Sequence, residues 1–194
     1  MTSCDESQAR SVARRCDRAA QRLPTRWVAA LMGFVLLGSV TIATDARAQS
    51  SEAVFTTRSL TIETALRAAQ AALNACRKAG YQVGVAVTDR SGVLQVYLRD
   101  RFAGAHTVEV ATRKAWTSAS FRMTTTALAA ETQAGRSMSG IRNSPGVLAI
   151  GGGMPIEAAG AVIAAIGVSG APGGEADDAC AKAGIDAIQM DIEM

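Results

Sequence analysis

Residues 147–170 read VLAIGGGMPIEAAGAVIAAIGVSG and largely determine the predicted architecture. It consists of short apolar runs, which are broken by the glycines at 151–153 with Pro155 and again by Gly160. Glycine and proline interrupt helices and favour turns, so apolar runs of this length between them are typical of strands. We therefore predict that this stretch supplies the C-terminal strands of a sheet.

Two β-rich runs precede it, QVGVAVTD at residues 82–89 and VLQVYLR at residues 93–99. Only Arg90-Ser91-Gly92 lies between them, and Gly92 has the conformational freedom that a tight hairpin requires. We predict an antiparallel pair of strands here.

Apolar residues at helical spacing occur in the sequence before and after these strands. The segment 60–80 has Thr61 as a cap and Gly80 as its end, and we predict a helix that lies on the sheet. Its predicted buried stripe consists of Ile62, Leu66, Ala69, Leu73 and Cys76.

Further helices are predicted downstream. One covers residues 107–121 with Thr107 as its cap, and a short one runs from Leu128 to Glu131. Residues 132–145 show no periodicity and are predicted to be irregular, whereas residues 175–184 form a terminal helix that closes at Gly184. This order of elements predicts an α+β domain, residues 59–194, with helices on an antiparallel sheet of about five strands.

The N-terminal segment is predicted to be a cleaved signal peptide. An apolar run from Trp27 to Ile42 follows two arginines and precedes Ala46-Arg47-Ala48, the small-x-small pattern of a signal peptidase site after Ala48. The run is shorter than the roughly 20 residues of a membrane-spanning helix, so we expect export without stable membrane insertion. Residues 49–58 are expected to be a flexible segment, and the protein is expected to be periplasmic or secreted.

Charge argues against a nucleic-acid partner. Of the 20 basic and 17 acidic residues, seven and four lie in residues 1–48, which leaves thirteen of each. No cluster of lysine and arginine remains to serve as a footprint on nucleic acid.

Two cysteines, Cys76 and Cys180, remain after the leader is removed. In an oxidising compartment they could form one disulfide, or they could be two separate buried thiols. The sequence leaves both alternatives open.

Three blocks of the sequence resemble the haem-binding GlcG/HbpS-like family, also called the haem-degrading domain family. They are FAGAHTVEVATRKAWTSASFR at residues 102–122, the glycine-rich stretch 147–170 and DDACAKAG at residues 177–184. The resemblance implies a profilin-like fold and assembly into homo-oligomers. For some members it also implies binding of haem, cobalamin-related ligands or iron.

His106 is the only histidine in the chain, which excludes zinc sites that need several histidines and a Ser-His-Asp triad based on another histidine. Neutral imidazole is a standard axial ligand of haem iron, so the resemblance makes His106 the candidate metal ligand. A loop histidine or helix cap is the alternative.

Three residues follow His106 along the helix as further candidates for cofactor binding. Arg113 or Lys114 could pair with a haem propionate, or both could form a solvated face with an ion pair to Glu109. Thr117, on the same face, is kept as a candidate hydroxyl ligand.

We predict an exported protein that binds haem or another tetrapyrrole for storage, sensing or protection, rather than a conventional enzyme. Any haem-degrading or peroxidase-like activity would come from bound iron. The alternatives are a binding module for a small organic acid or other metabolite, and an oligomeric interaction domain without a ligand.

Overall fold

The computed structural model describes residues 53–193, which contain four strands and five α-helices. The strands are β1 (Gly84–Asp89), β2 (Leu94–Arg99), β3 (Gly153–Ala158) and β4 (Ala161–Ser169). The helices are α1 (Ile62–Lys78), α2 (Thr107–Phe121), α3 (Thr125–Glu131), α4 (Gly174–Asp186) and α5 (Gln189–Ile192). A 3-10 helix, Ser139–Asn143, lies in the predicted irregular segment. The predicted signal peptide, residues 1–48, lies outside the described residues.

All four strands form one sheet in the order β2-β1-β4-β3, with antiparallel pairing throughout. The predicted α+β fold, an antiparallel sheet with flanking helices, is therefore confirmed. The β1–β2 hairpin is confirmed as well. A second hairpin joins β3 to β4 through Ala159 and Gly160, which both have positive φ angles, as the type I′ turn requires.

The predicted count of about five strands is wrong, because the apolar run Val147–Ile150 is not a strand. Its backbone groups bond to side chains of α2 instead of to a neighbouring strand. The Leu148 N–H donates to Thr117 Oγ1 at 3.0 Å, and the Val147 carbonyl accepts from Arg113 Nη2 at 3.0 Å. Because these hydrogen bonds satisfy its backbone groups, the segment does not need to pair with a strand.

The sheet separates two layers of helices, and alternate residues of each strand point to opposite layers. On one face, branched aliphatic side chains pack with α1 and α4 in the main core; they include Val85, Val87, Ile166 and Val168. On the other face, the smaller Ala86 of β1 packs with Ala111 and Ala115 of α2.

Helices α1 and α4 pack through small residues. An added Cβ at Gly184 would lie 2.7 Å from the Ala68 carbonyl oxygen and 3.0 Å from the Ala72 Cβ. Gly184 is thus a buried contact inside α4 and does not end the helix as predicted; α4 continues to Asp186.

The predicted stripe of α1 is buried at Ala69, Leu73 and Cys76, but not at the start of the helix. Ala65, Ala68 and Ala72 are fully buried, whereas Ile62 and Leu66 are largely exposed. Close approach of α4 favours the alanines on this face, because larger side chains would hold the two helices apart.

A disulfide joins α1 to α4. Cys76 and Cys180 are bonded, with their Cα atoms 5.5 Å apart and a sequence separation of 104. The structure therefore contains the disulfide and not two separate buried thiols.

Helix α2 lies directly on the sheet at a glycine pair. Gly153 of β3 and Gly167 of β4 are opposite one another in the ladder. An added Cβ at Gly167 would lie 2.1 Å from the Ala111 carbonyl oxygen, and one at Gly153 would lie 2.5 Å from the Lys114 carbonyl oxygen. The helix backbone therefore occupies the space that side chains would otherwise fill.

A buried ion pair adds to this contact between layers. The Lys114 ammonium of α2 lies 2.7 Å from the carboxylate of Asp177 on α4, and both side chains are almost fully buried. The ammonium also donates to the Val168 carbonyl oxygen of β4 at 2.9 Å. Within residues 53–193, no helix is long and apolar enough to cross a membrane.

We expect Gly167→Ala to destabilise the protein by about 1–3 kcal/mol, because α2 must shift away from the sheet to admit the methyl group. Gly173→Ala is the matched control, since its backbone is extended and nothing lies within 4 Å of an added Cβ. Urea unfolding of both variants measures the difference. An equal, small effect at the two positions would show that the close approach is not a constraint.

We expect loss of the disulfide to lower the free energy of unfolding by up to about 4–5 kcal/mol, because a bridge over so long a loop restricts the unfolded chain strongly. The measurement compares denaturant unfolding with and without a reductant. Cys76→Ala combined with Cys180→Ala is the control, which should not respond to the reductant. Equal stability of oxidised and reduced wild-type protein would contradict the expectation.

Candidate functional site

The loop between β2 and α2 is held in place by Asp100. Its carboxylate accepts hydrogen bonds from Arg77 Nε at 2.7 Å and Arg77 Nη2 at 3.1 Å, which ties the loop to the end of α1. It also accepts from the Arg101 N–H, and the Asp100 carbonyl accepts from the Ala103 N–H. The hydrogen bond from Arg77 holds the pKa of Asp100 below its ordinary value. The loop that leads to His106 is thus anchored at its start.

His106 lies at the end of this loop, in the N-cap position of α2. Thr107 was predicted to be the cap, but it is the first helical residue, and its hydroxyl donates back to the Gly104 carbonyl oxygen at 2.7 Å. The His106 side chain makes no capping hydrogen bond and is exposed. No side-chain hydrogen bond within residues 53–193 uses its imidazole, so the ring nitrogens are available to a ligand.

The ring rests on Gly104. A Cβ added there would lie 2.5 Å from His106 Cε1 and 2.7 Å from Nδ1, but 3.7 Å from Nε2. The Cε1–Nδ1 edge therefore faces the glycine, and Nε2 is the nitrogen that points away from it. Gly104 is needed for this ring position because any side chain would displace the imidazole.

Exposed apolar side chains lie close to His106 in sequence. Phe102 is 79% exposed and Val108 is 48% exposed, although burial would be favourable for both. Phe102 was not among the residues predicted from the sequence. Phe102 is the one large apolar side chain in the loop 100–106, and this is the signal that could have identified it.

Arg113 lies two turns after His106 and is tethered at several points. Its guanidinium pairs with Glu109 at 3.2 Å, the alternative considered from the sequence, and also donates to the carbonyl oxygens of Gly146 and Val147. These bonds hold the loop before β3 against α2. About a third of the side chain remains exposed, so the guanidinium still has a solvent-facing side.

Lys114 is not on the surface. Both interpretations of this residue, a propionate partner or part of a solvated face, assumed an exposed ammonium group. Instead it is buried against Asp177, because α2 packs so closely on the sheet. Burial raises the pKa of Asp177, while the hydrogen bond from Lys114 opposes that shift. The structure therefore places Lys114 in a contact between layers, away from His106.

Thr117 is also buried, and its hydroxyl accepts the hydrogen bond from the Leu148 N–H. The structure thus separates the four candidate residues. His106 and part of Arg113 are accessible to a ligand, whereas Lys114 and Thr117 are committed to internal contacts.

A single exposed histidine fits a haem site better than a bare metal site. No group of three or more histidine, cysteine, aspartate or glutamate side chains that could hold a metal ion occurs among the described residues. Haem needs only one or two axial ligands from the protein, since the porphyrin supplies the other four, and it favours apolar neighbours. One exposed imidazole, with exposed Phe102 and Val108 close to it in sequence, is compatible with these needs.

Comparison with known proteins agrees with this chemistry. The family described as haem degrading protein HbpS-like matches residues 60–186. A search of curated proteins finds no significant match to this chain.

Several solved structures are similar to the chain. A double mutant of HbpS from Streptomyces reticuli is 34% identical with a TM-score of 0.67, over 85% of this chain and 99% of that one. Another HbpS structure is 40% identical with a TM-score of 0.67, over 70% of this chain and 94% of that one. A complex of PduOC with haem is 26% identical with a TM-score of 0.63, over 67% of this chain and 95% of that one.

The family match covers more than half of the sequence and includes every strand of the sheet. This chain therefore belongs to the HbpS-like family of haem-degrading proteins.

Proposed function

We propose that this protein binds haem or a related tetrapyrrole at the surface formed by Phe102, His106 and Val108, with His106 Nε2 as the axial ligand. The observation that carries the proposal is an exposed imidazole without a hydrogen-bond partner among the described residues. The haem complex of PduOC, a structural relative, supports this choice of ligand.

Each residue at this surface has a proposed role in haem binding. His106 supplies the lone pair, Gly104 leaves room for the ring, and Phe102 offers an aromatic face for the porphyrin. Arg113 is the proposed propionate partner through the exposed side of its guanidinium. Arg101, exposed and next to Phe102, is a second cation within reach of the loop.

Bound iron would supply any redox or haem-degrading chemistry. The protein's own part is to orient the porphyrin and to limit access to it. Storage, sensing or protection of haem are the roles that we propose for this binding.

The open position of His106 also supports assembly into homo-oligomers. A porphyrin on an exposed surface leaves one face in water, and a second copy of the chain could cover that face. Phe102 and Val108 would then be buried by the partner as well as by the ligand.

Export to the periplasm or the medium is the proposed localisation. The small-x-small site after Ala48 supports it, and so does the disulfide, because such bridges persist in oxidising compartments. Haem-binding residues in the folded domain would then meet their ligand outside the cytoplasm.

We expect the purified protein to bind haem saturably and His106→Ala to bind it at least about tenfold more weakly, because the variant lacks the axial ligand. Gly104→Ala should also weaken binding, since its methyl group displaces the ring. The measurement is a titration followed by the Soret band.

Ser120→Ala, at an exposed position near the other end of α2, is the matched control and should bind like the wild type. Circular dichroism shows whether each variant is folded. A flat titration of the folded wild-type protein, or unchanged binding in His106→Ala, would refute the proposal.

For export, we expect the protein expressed with its own leader in a bacterial host to leave the cytoplasm and to begin at Gln49. Intact mass measurement of the exported fraction checks the new terminus. Ala48→Trp should retain the leader, because signal peptidase requires a small residue there. A mature protein that keeps residues 1–48 would contradict the predicted cleavage.

A further inference from the structure

A second candidate site lies at the end of the sheet where β1 finishes and β4 begins. A cleft of about 260 Å³ opens there, and it is separate from His106. It is lined by Arg90, Arg122, Glu157, Gly160, Ala161 and Val162. Three chain segments that are far apart in sequence meet in it: the β1–β2 turn, the end of α2 and the β3–β4 hairpin.

Neither arginine side chain has a partner among the residues that the structure describes. None of the ion pairs or side-chain hydrogen bonds within residues 53–193 involves the guanidinium of Arg90 or Arg122. Glu157, on the same cleft, also has no such partner in the described part of the chain. Most other basic residues of the described chain are paired, for example Arg77 with Asp100. Two unpaired guanidinium groups in one cleft form an anion-attracting site.

The backbone under each arginine is fixed. Asp89 Oδ1 accepts hydrogen bonds from the Ser91 and Val93 N–H groups, which sets the turn that carries Arg90. The Arg122 N–H donates to the Ser118 carbonyl oxygen at 2.8 Å at the end of α2. Because the backbone at both arginines is already ordered, less conformational entropy is lost when a ligand binds.

Unfavourable backbone conformations concentrate at this cleft. Arg122, with φ 54°, and Ala159, with φ 49°, are the only non-glycine residues with positive φ in residues 53–193. Arg122 lines the cleft, and Ala159 directly precedes its lining residue Gly160. Glycine is the favoured residue in this conformation at a helix end, so an arginine there costs stability. Its side chain is therefore expected to have a use.

The three charged side chains indicate which functional groups a ligand of this cleft would carry. Guanidinium groups match the geometry of a carboxylate, and two of them leave the cleft with a net charge of about +1 after Glu157 is counted. Glu157 can accept a hydrogen bond from a hydroxyl or an ammonium group. Ala161 and Val162 offer a small apolar wall.

We propose that this cleft binds a small organic acid that carries a hydroxyl or ammonium donor beside its carboxylate. Arg90 and Arg122 hold the carboxylate, and Glu157 accepts the donor. The site is independent of the haem surface, so the two proposals can fail separately.

Lactate, alanine and propanoate test the proposal, because they share a three-carbon skeleton and differ only in the group beside the carboxylate. The purified ¹⁵N-labelled protein is titrated with each, and the amide signals of Arg90, Gly160 and Val162 are followed. We expect saturable shifts with lactate or alanine, and about tenfold weaker binding of propanoate, which lacks the donor to Glu157.

Arg90→Gln and Arg122→Gln should each weaken lactate or alanine binding about tenfold. Glu157→Gln should bring the three acids closer together in affinity, because it removes the charged acceptor. The Soret titration of the double arginine variant should match that of the wild type, and His106→Ala should leave acid binding unchanged.

Arg122→Gly separates loss of binding from loss of folding. Glycine relieves the unfavourable φ angle, so we expect the midpoint of thermal unfolding to rise by a few degrees while acid binding weakens. No saturable shift with any acid, unchanged binding in the double arginine variant, equal binding of propanoate, or binding of inorganic phosphate alone would each overturn the proposal.

Discussion

The contact of α2 with the sheet at Gly153 and Gly167 sets the distance between the helix backbone and the strands. Without side chains at these positions, the helix backbone approaches the strands closely enough for Lys114 to reach Asp177. The same approach brings Thr117 to the Leu148 N–H and so keeps that segment out of the sheet. The start of α2 is fixed as well, which leaves His106 on the surface beside an anchored loop.

Much of the fold could be predicted from sequence because its signals are local. The periodicity of apolar residues, together with turn residues and helix caps, predicted both strands of the β1–β2 hairpin and most helices. At the start of α1 the buried face was assigned wrongly, because side-chain size, and not only polarity, selects the face that packs on α4. The extra strand at Val147–Ile150 was predicted because an apolar run does not reveal whether its backbone bonds to a strand or to side chains.

The candidate site was predictable only in part. His106 stood out because it is the only histidine, and its exposure follows from its place in a loop. The burial of Lys114 could not be foreseen, since its partner Asp177 is 63 residues away in sequence. The arginine cleft was missed for the same reason, as its three segments meet only in the folded chain.

The central ladder of the sheet has a consequence for the kinetics of folding. β1 pairs with β4, and a hydrogen bond between them joins Thr88 to Ala165, 77 residues apart. Both hairpins and the helices can form from neighbouring residues, but this pairing requires closure of a long loop before any contact compensates for the lost chain entropy. The two halves of the sheet should therefore assemble early, and their docking along β1 and β4 should limit the rate.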